Sequence, residues 1–273
     1  MLEALSYTFM QNALAAGLLA SIACGVVGSL VVVNRMVFLA GAVAHAAYGG
    51  VGLAFLAGWP VLPTALGFTT AASLGMAQAT WKQSERTDAV VGALWAVGMA
   101  SGIICIDLAP GYNTDLMSYL FGSILTVPRS ELWIMLVLDA ALLGFTAWFY
   151  QDLLALSFDP EFARARGVPV RLLHFLLPAM VAVSVVMVVQ VVGLILVIAL
   201  MSIPPFLAER RARSLAGMMV RAAIFSAVFC TAGLALSYWL DLTSGASIIA
   251  VAALGFFADQ GLARVLTRGG RRA

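Results

Sequence analysis

Two histidines and a few carboxylates are the side chains of this sequence that could do chemistry inside long apolar runs. His45 stands in AGAVAHAAYGG, flanked by Gly41, Ala42, Ala44, Ala46, Ala47, Gly49 and Gly50. Small neighbours let helix backbones approach, or leave a cavity beside the ring. A neutral imidazole facing such a cavity can ligate a borderline-soft cation such as zinc. A core histidine hydrogen-bonded across helices is the other reading, and the residue alone leaves both open. Asp139, in LVLDAALL, either serves a pathway or is protonated and hydrogen-bonded within a bundle, because an ionisable group at membrane depth costs a few kcal/mol or more. His174 and Asp259 sit near the ends of apolar runs, where interfacial anchoring is the default. Ser184 and Gln190 are expected to link helices. Cys24, Cys105 and Cys230 are scattered through apolar runs and read as packing residues, too few for a disulfide framework or a zinc cluster.

The chemistry that is missing narrows the function further. A P-loop needs a lysine within GxxxxGK[ST]. Lys82 is the single lysine, and it stands in TWKQSE, so the chain does not hydrolyse nucleotide by that route. HExxH is absent, and no polar stretch is long enough for a catalytic domain. An enzyme is therefore the weak hypothesis.

These side chains must be positioned by membrane-spanning helices. Of the 273 residues, 63% are apolar and 10% charged, against roughly 45–50% and 25% in soluble domains. So few charges cannot cover a water-soluble surface, and so much apolar surface excludes a disordered chain. With about 20 apolar residues per span, the length suits eight to ten crossings, and charge or Pro/Gly boundaries mark nine candidate helices. They are Phe9–Val33, Val37–Gly58, Leu62–Ala79, Ala89–Leu108, Leu132–Phe149, Leu172–Gln190, Val192–Leu207, Leu215–Leu240 and Ala246–Val265. No sustained period-2 alternation supports a barrel. Glu3 in place of a basic patch argues against a cleavable signal. Met117–Val127 is too short to span and reads as an interfacial or re-entrant helix on the outer side. Pro204-Pro205 is expected to stop or kink the short seventh helix.

Basic residues set the orientation. With the N-terminus outside, Arg35, Lys82, Arg86, Arg164, Arg166, Arg171, Arg210, Arg211, Arg213, Arg264, Arg268, Arg271 and Arg272 all fall inside, and the C-terminus is cytoplasmic. Arg129 falls outside, and Arg221 lies early in the eighth helix.

The longest polar stretch is Gln151–Arg171, QDLLALSFDPEFARARGVPVR. Asp159 before Pro160 is a helix start, with the acid at N-cap and the proline at N1. Glu161 suits the first turn, and Gly167 before Val168-Pro169 is a stop. A helix of about two turns is marginal in water, so it must lie on lipid headgroups or dock into a partner.

Five blocks carry a family resemblance: Gly25–His45 (GVVGSLVVVNRMVFLAGAVAH), Asp107–Leu125 (DLAPGYNTDLMSYLFGSIL), Ser157–Leu173 (SFDPEFARARGVPVRLL), Val192–Pro204 (VGLILVIALMSIP) and Ser237–Ile249 (SYWLDLTSGASII). In this order and spacing, along nearly the whole chain, they resemble the membrane-embedded permease subunit of ABC-type zinc, manganese and iron importers. The resemblance implies an all-α polytopic membrane protein with about nine transmembrane helices (eight to ten), a type II ABC-importer-like permease bundle. It implies one transmembrane domain over residues 1–273, with a cytoplasmic coupling loop over 151–171. Phe158, Asp159, Pro160, Glu161, Phe162, Ala163, Arg164, Arg166 and Gly167 would then meet the ATPase.

The implied partners are a cytoplasmic ABC ATPase dimer, a second permease copy, an extracytoplasmic metal-binding protein and the lipid of the inner (plasma) membrane, with no nucleic acid. ATP would be bound by the partner, and this chain would hold no cofactor, the divalent metal being its substrate. The family places a metal-interacting Asp and His four residues apart on the second helix, on one face. His45 matches the histidine, whereas Gly41 occupies the Asp position, and Ser244 stands in LDLTSG where a proline is commoner. Losing the carboxylate disfavours hard cations most, so zinc is expected ahead of manganese or iron. A permease for a metal chelate such as a siderophore or corrinoid, and a non-transporting membrane scaffold, are the alternatives.

Overall fold

The computed structural model describes residues 7–81, 87–110 and 124–269, with side chains described except at 87, 190, 191 and 262–269. Lys82, Arg86, Arg271, Arg272 and residues 117–123 of the expected re-entrant segment therefore lie outside the described residues, as do the side chains of Gln190, Arg264 and Arg268. The described residues form eleven α-helices: α1 (Thr8–Val33), α2 (Val37–Ala57), α3 (Val61–Thr80), α4 (Thr87–Leu108), α5 (Arg129–Trp148), α6 (Tyr150–Phe158), α7 (Pro160–Ala165), α8 (Val170–Val192), α9 (Leu194–Glu209), α10 (Leu215–Leu240) and α11 (Ser244–Gly269). All nine helices expected from the apolar runs are present. Seven of them are long and apolar enough to cross a membrane on their own. The other two are α3, which is 20 residues long but carries four threonines, a serine and a glutamine, and α9, with 16 residues. Neighbouring helices cover most of α9, whereas α3 buries one face, Ala65, Thr69, Ser73, Met76 and Ala77, and leaves the other open.

Contacts between helix ends show that the chain passes back and forth. Asn34 and Arg35, between α1 and α2, share a cleft with Phe158 and Pro160 and with Glu209 and Arg213. Asn34 Nδ2 donates to Ser157 Oγ at 2.9 Å. The end of α3, at Thr80 and Trp81, shares a second cleft with Arg164 and His174. Asp259 of α11 is ion-paired to both Arg210 and Arg211. The basic connections among the described residues thus gather at one end, with Arg129 at the start of α5 the exception. The 3-10 turn Ile124–Thr126 is the described part of the expected outer segment; just beyond it, Val127 accepts a hydrogen bond from Asn12 Nδ2 near the start of α1. It lies at the opposite end, as expected. Trp59, Trp133 and Trp239 are exposed at that end and Trp148 at the basic end, the belts that amphipathic rings form at the two faces of a bilayer.

The core is built from α1, α2, α8 and α9, whose buried side chains form one cluster that includes Leu30, Val43, Val185 and Leu200. Most of α4 and α5 is exposed apolar surface, suited to lipid or to another chain. Close helix approaches rest on glycine. A Cβ at Gly25 would lie 2.5 Å from the Ala223 nitrogen of α10, so α1 and α10 touch backbone to backbone.

Two element boundaries differ from expectation. Pro204-Pro205 lies inside α9, which runs on to Glu209. The ring of Pro205 removes a hydrogen bond to the carbonyl of Met201. That carbonyl and the Pro205 ring sit against Gly28 of α1, where any Cβ would be 2.8 Å from the oxygen and 2.9 Å from Pro205 Cγ. A bare stretch of neighbouring helix makes the room that the proline turn needs. Likewise Tyr150–Phe158, the start of the expected polar loop, is helical. It continues α5 after a break at Phe149 and buries Leu153 on the bundle.

Candidate functional site

His45 lies near the middle of α2. Between Leu39 and Gly52 it is the one residue that is not buried; Gly41 to Ala44 and Ala46 to Gly52 are all closed off. A helix this rich in Ala and Gly is covered by backbone rather than by long side chains. The opening is therefore local to the imidazole.

What covers the rest of this face is α4. A Cβ at Gly98 would come within 2.7 Å of Ala46 Cα, and one at Gly102 within 2.6 Å of the Tyr48 ring. From the other side, a Cβ at Gly49 would lie 3.0 Å from the Gly98 carbonyl oxygen. Spacings of three and four place these residues on one face of each helix. The seam holds α4 against α2 in a single register, and that register brings Trp95 and Met99, one turn apart, onto His45. The indole stacks on the imidazole with centroids 4.4 Å apart and planes at 23°. His45 Nδ1 and Met99 Sδ are 3.4 Å apart.

Gly41 belongs to the same arrangement. A Cβ there would be 3.0 Å from Cζ3 and 3.4 Å from Cη2 of Trp95. The indole occupies the room that a longer side chain at position 41 would need. The sequence points to His45 and to the bare position 41, but not to Trp95 or Met99, which reach the ring from another helix. The available signal was their spacing around Gly98 and Gly102, matching the small-residue face of α2.

The other polar candidates lie apart from His45. Asp139 is buried on α5, which packs against α1 and α8. Neither carboxylate oxygen has a hydrogen-bond partner among the described residues, so the hydrogen-bonded role expected for it within the bundle is not what the structure shows. Ser184 is buried without a partner as well; it fills space on α8 instead of linking helices. His174 Nε2 is 3.0 Å from the Ala77 carbonyl, and its ring meets Trp81 edge-on, tying α8 to the end of α3. Cys24, Cys105 and Cys230 are free thiols, and Cys230 accepts a hydrogen bond from Ser21 at 3.7 Å. Among the described residues, no three His, Cys, Asp or Glu side chains come together as a metal cluster. Any cation contact at His45 must draw on other donors.

The segment Phe158–Gly167 is built as its residues dictate. Asp159 is the N-cap of α7, accepting from the backbone N–H of Glu161 at 3.1 Å and of Phe162 at 2.9 Å. Pro160 occupies N1. Gly167, at φ +80°, ends the helix in the left-handed region, and Val168 N–H returns to the Ala163 carbonyl at 3.1 Å. With six residues, α7 is shorter than the two turns expected. Ala163 alone is buried in this stretch; Phe158, Asp159, Pro160, Glu161, Phe162, Arg164, Arg166 and Gly167 are exposed. The Arg166 guanidinium lies 5.6 Å from the Phe162 ring centroid. Exposed Phe158 at the end of α6, and exposed Phe162 among arginines around a short helix anchored by one alanine, make a projecting knob at the basic end. Beside it opens a cleft of about 840 Å³ whose walls include Arg35 and Arg213.

Comparison with known proteins gives this architecture relatives. The chain is 50% identical to an uncharacterised membrane protein of Synechocystis, over 94% of this chain and 91% of that one. It is 34% identical to the manganese transport system membrane protein MntC of Listeria monocytogenes, over 93% and 90% of the two chains. Among solved structures, PsaBC from Streptococcus pneumoniae in complex with Fab superposes with a TM-score of 0.85 at 31% identity, covering 94% of this chain and 93% of that one. A metal-chelate-type ABC transporter in an inward-facing conformation shares the fold, with a TM-score of 0.69 at 18% identity over 93% and 84% of the chains. The ABC 3 transport family matches residues 6–260, a stretch that takes in both the α2–α4 seam and the projecting knob, and the chain belongs to that family of membrane permeases.

Proposed function

We propose that this chain is the membrane subunit of an importer for divalent d-block metal ions, with zinc preferred over manganese, powered by a separate ATPase. The observation that carries the reading is His45. One imidazole at mid-membrane depth is left accessible in an otherwise closed helix, where a polar residue without a task would be costly. The family supplies the transport class. The named relatives include manganese permeases, MntC among them, so the preferred ion must be argued from the site. Position 41 is glycine and its space is filled by indole, so no carboxylate stands beside the imidazole there. Manganese favours carboxylate and carbonyl oxygen, whereas zinc accepts imidazole and sulfur. A site with few protein ligands also suits conduction, which requires that an ion can leave.

In this reading two copies enclose the pathway. Each presents α7 to one subunit of a cytoplasmic ATPase dimer, and an extracytoplasmic binding protein delivers the ion. Phe158 and Phe162 are the apolar anchors of the knob, and Arg164 and Arg166 supply the charge that orients it. ATP-driven closure of the ATPase dimer would push on α7 and, through Leu153 and α6, on α5. In this reading the molecule lies in the inner membrane, with its arginine-rich end and its C-terminus on the cytoplasmic side.

The test is zinc uptake by vesicles containing the complete complex, with His45→Ala compared at equal membrane abundance. The expected result is uptake reduced at least about tenfold, since losing even a supporting group at a metal site costs about 10–100-fold. Uptake equal to the parent chain would return His45 to the packing residues.

A further inference from the structure

We propose that His45 Nδ1 and Met99 Sδ together form an imidazole–thioether site for a borderline-soft cation, with Trp95 as the wall that orients the imidazole. The inference rests on reading His45 as a pathway group and goes further by naming its second ligand and the class of ion that follows.

Distance is the first ground. Two ligands on one tetrahedral ion, with a metal–nitrogen bond of about 2.0 Å and a metal–sulfur bond no shorter than a thiolate's, about 2.3 Å, stand about 3.5 Å apart or slightly more. The observed Nδ1–Sδ separation is 3.4 Å. An ion could enter with little more than a rotation about the last bonds of Met99, a flexible side chain. Accessibility is the second. His45, Trp95 and Met99 are each half-buried, where the α2 residues around His45 are closed. Rigidity is the third. The stacked indole fixes the plane of the imidazole, and the glycine contacts at Gly98 and Gly102 fix the helix that carries both partners.

The donor set then decides the ion. Imidazole and thioether are neutral and contribute no hard oxygen, and no Asp or Glu joins them in a cluster among the described residues. Soft thioether and borderline imidazole favour zinc or monovalent copper, and they offer manganese little. Trp95 enforces this choice by taking the space of a ligand at position 41. Two protein ligands, completed by water, make a site that holds an ion briefly.

The test uses the full-length chain in detergent, titrated with zinc chloride and separately with manganese chloride, followed by calorimetry and by tryptophan fluorescence. Zinc should bind and change the fluorescence of the parent chain, with the fluorescence change lost in Trp95→Phe. Met99→Leu conserves volume and should weaken zinc at least about tenfold, leaving the weak response to manganese where it was. Met99→Asp should raise manganese affinity relative to zinc. Zinc binding unchanged by Met99→Leu overturns the proposal, as does no measurable zinc binding to the parent chain; either result makes the contact packing only. Uptake by the complete complex separates the two readings. If the parent complex accumulates neither ion, the importer assignment falls. If it accumulates zinc and Met99→Leu keeps the same zinc-to-manganese ratio, the thioether ligand alone falls.

Discussion

Removing both stops of α7 should melt the knob and leave the bundle intact. Asp159→Ala deletes the carboxylate that accepts from two backbone N–H groups, at 3.1 and 2.9 Å. An N-cap loss of this kind costs about 1 kcal/mol. Gly167→Ala puts a Cβ on a residue at φ +80°, which costs roughly 1–2 kcal/mol. Six helical residues span about 9 Å, so the two changes sit far enough apart to add. Together they remove about 2 kcal/mol from a helix whose one buried side chain is Ala163, a factor of about thirty in its folded population. The readout is hydrogen exchange at the amides of Arg166 and Val168, which bond back to Phe162 and Ala163 at 3.0 and 3.1 Å. Each single variant should speed exchange about fivefold or more, and the pair about thirtyfold, with the core of α8 unchanged. Affinity for the ATPase should fall by a similar factor if α7 docks as proposed. Unchanged exchange in the double variant would refute the capping argument. Faster exchange with undiminished ATPase affinity would refute the docking role while sparing the helix.

The remaining expectations concern the seam and the buried acid. Gly98→Leu drives a side chain into Ala46 Cα, 2.7 Å from where its Cβ would lie, and should destabilise by roughly 1–3 kcal/mol; thermal unfolding in detergent measures it, and a variant as stable as the parent would show that α4 does not pack on α2 in this register. Asp139→Leu removes two buried acceptors without partners among the described residues and should stabilise the chain, because each unmet group costs about 1–3 kcal/mol. A lowered melting temperature would show that Asp139 has a partner in the assembled protein. Uptake lost by this more stable variant would make the carboxylate a pathway group.

Helix positions were legible in the sequence because twenty apolar residues bounded by charge have one solution in lipid, closed backbone hydrogen bonding within the segment. The ends of α7 were legible for a local reason: Asp159, Pro160 and Gly167 each act on their own backbone. What stayed hidden was whatever one helix does to another. Pro204-Pro205 reads as a stop or a kink until Gly28 of α1 is seen to leave room for the proline turn. Gln151–Phe158 reads as loop because polar residues open it and its anchor, Leu153, is recognisable only by the surface that it covers. His45 could be nominated from its small neighbours, but its contacts could not. They belong to α4, fifty or more positions away in the chain.

The same seam explains why a glycine at position 41 is a change of site and not merely a loss. A side chain there would press on the edge of Trp95, which would have to give by a few tenths of an ångström, and Trp95 is carried by a helix whose approach depends on Gly98 and Gly102. Restoring Asp by Gly41→Asp alone would therefore set an acid against an indole edge, 3.0 Å from its first carbon, instead of completing an acid–imidazole pair. Exchanging the indole as well, in Gly41→Asp with Trp95→Ala, opens the room and frees the imidazole to turn. The softness of the site is thus a property of the α2–α4 packing. Moving this ligand set toward an oxygen-rich one is therefore easiest when both helices change.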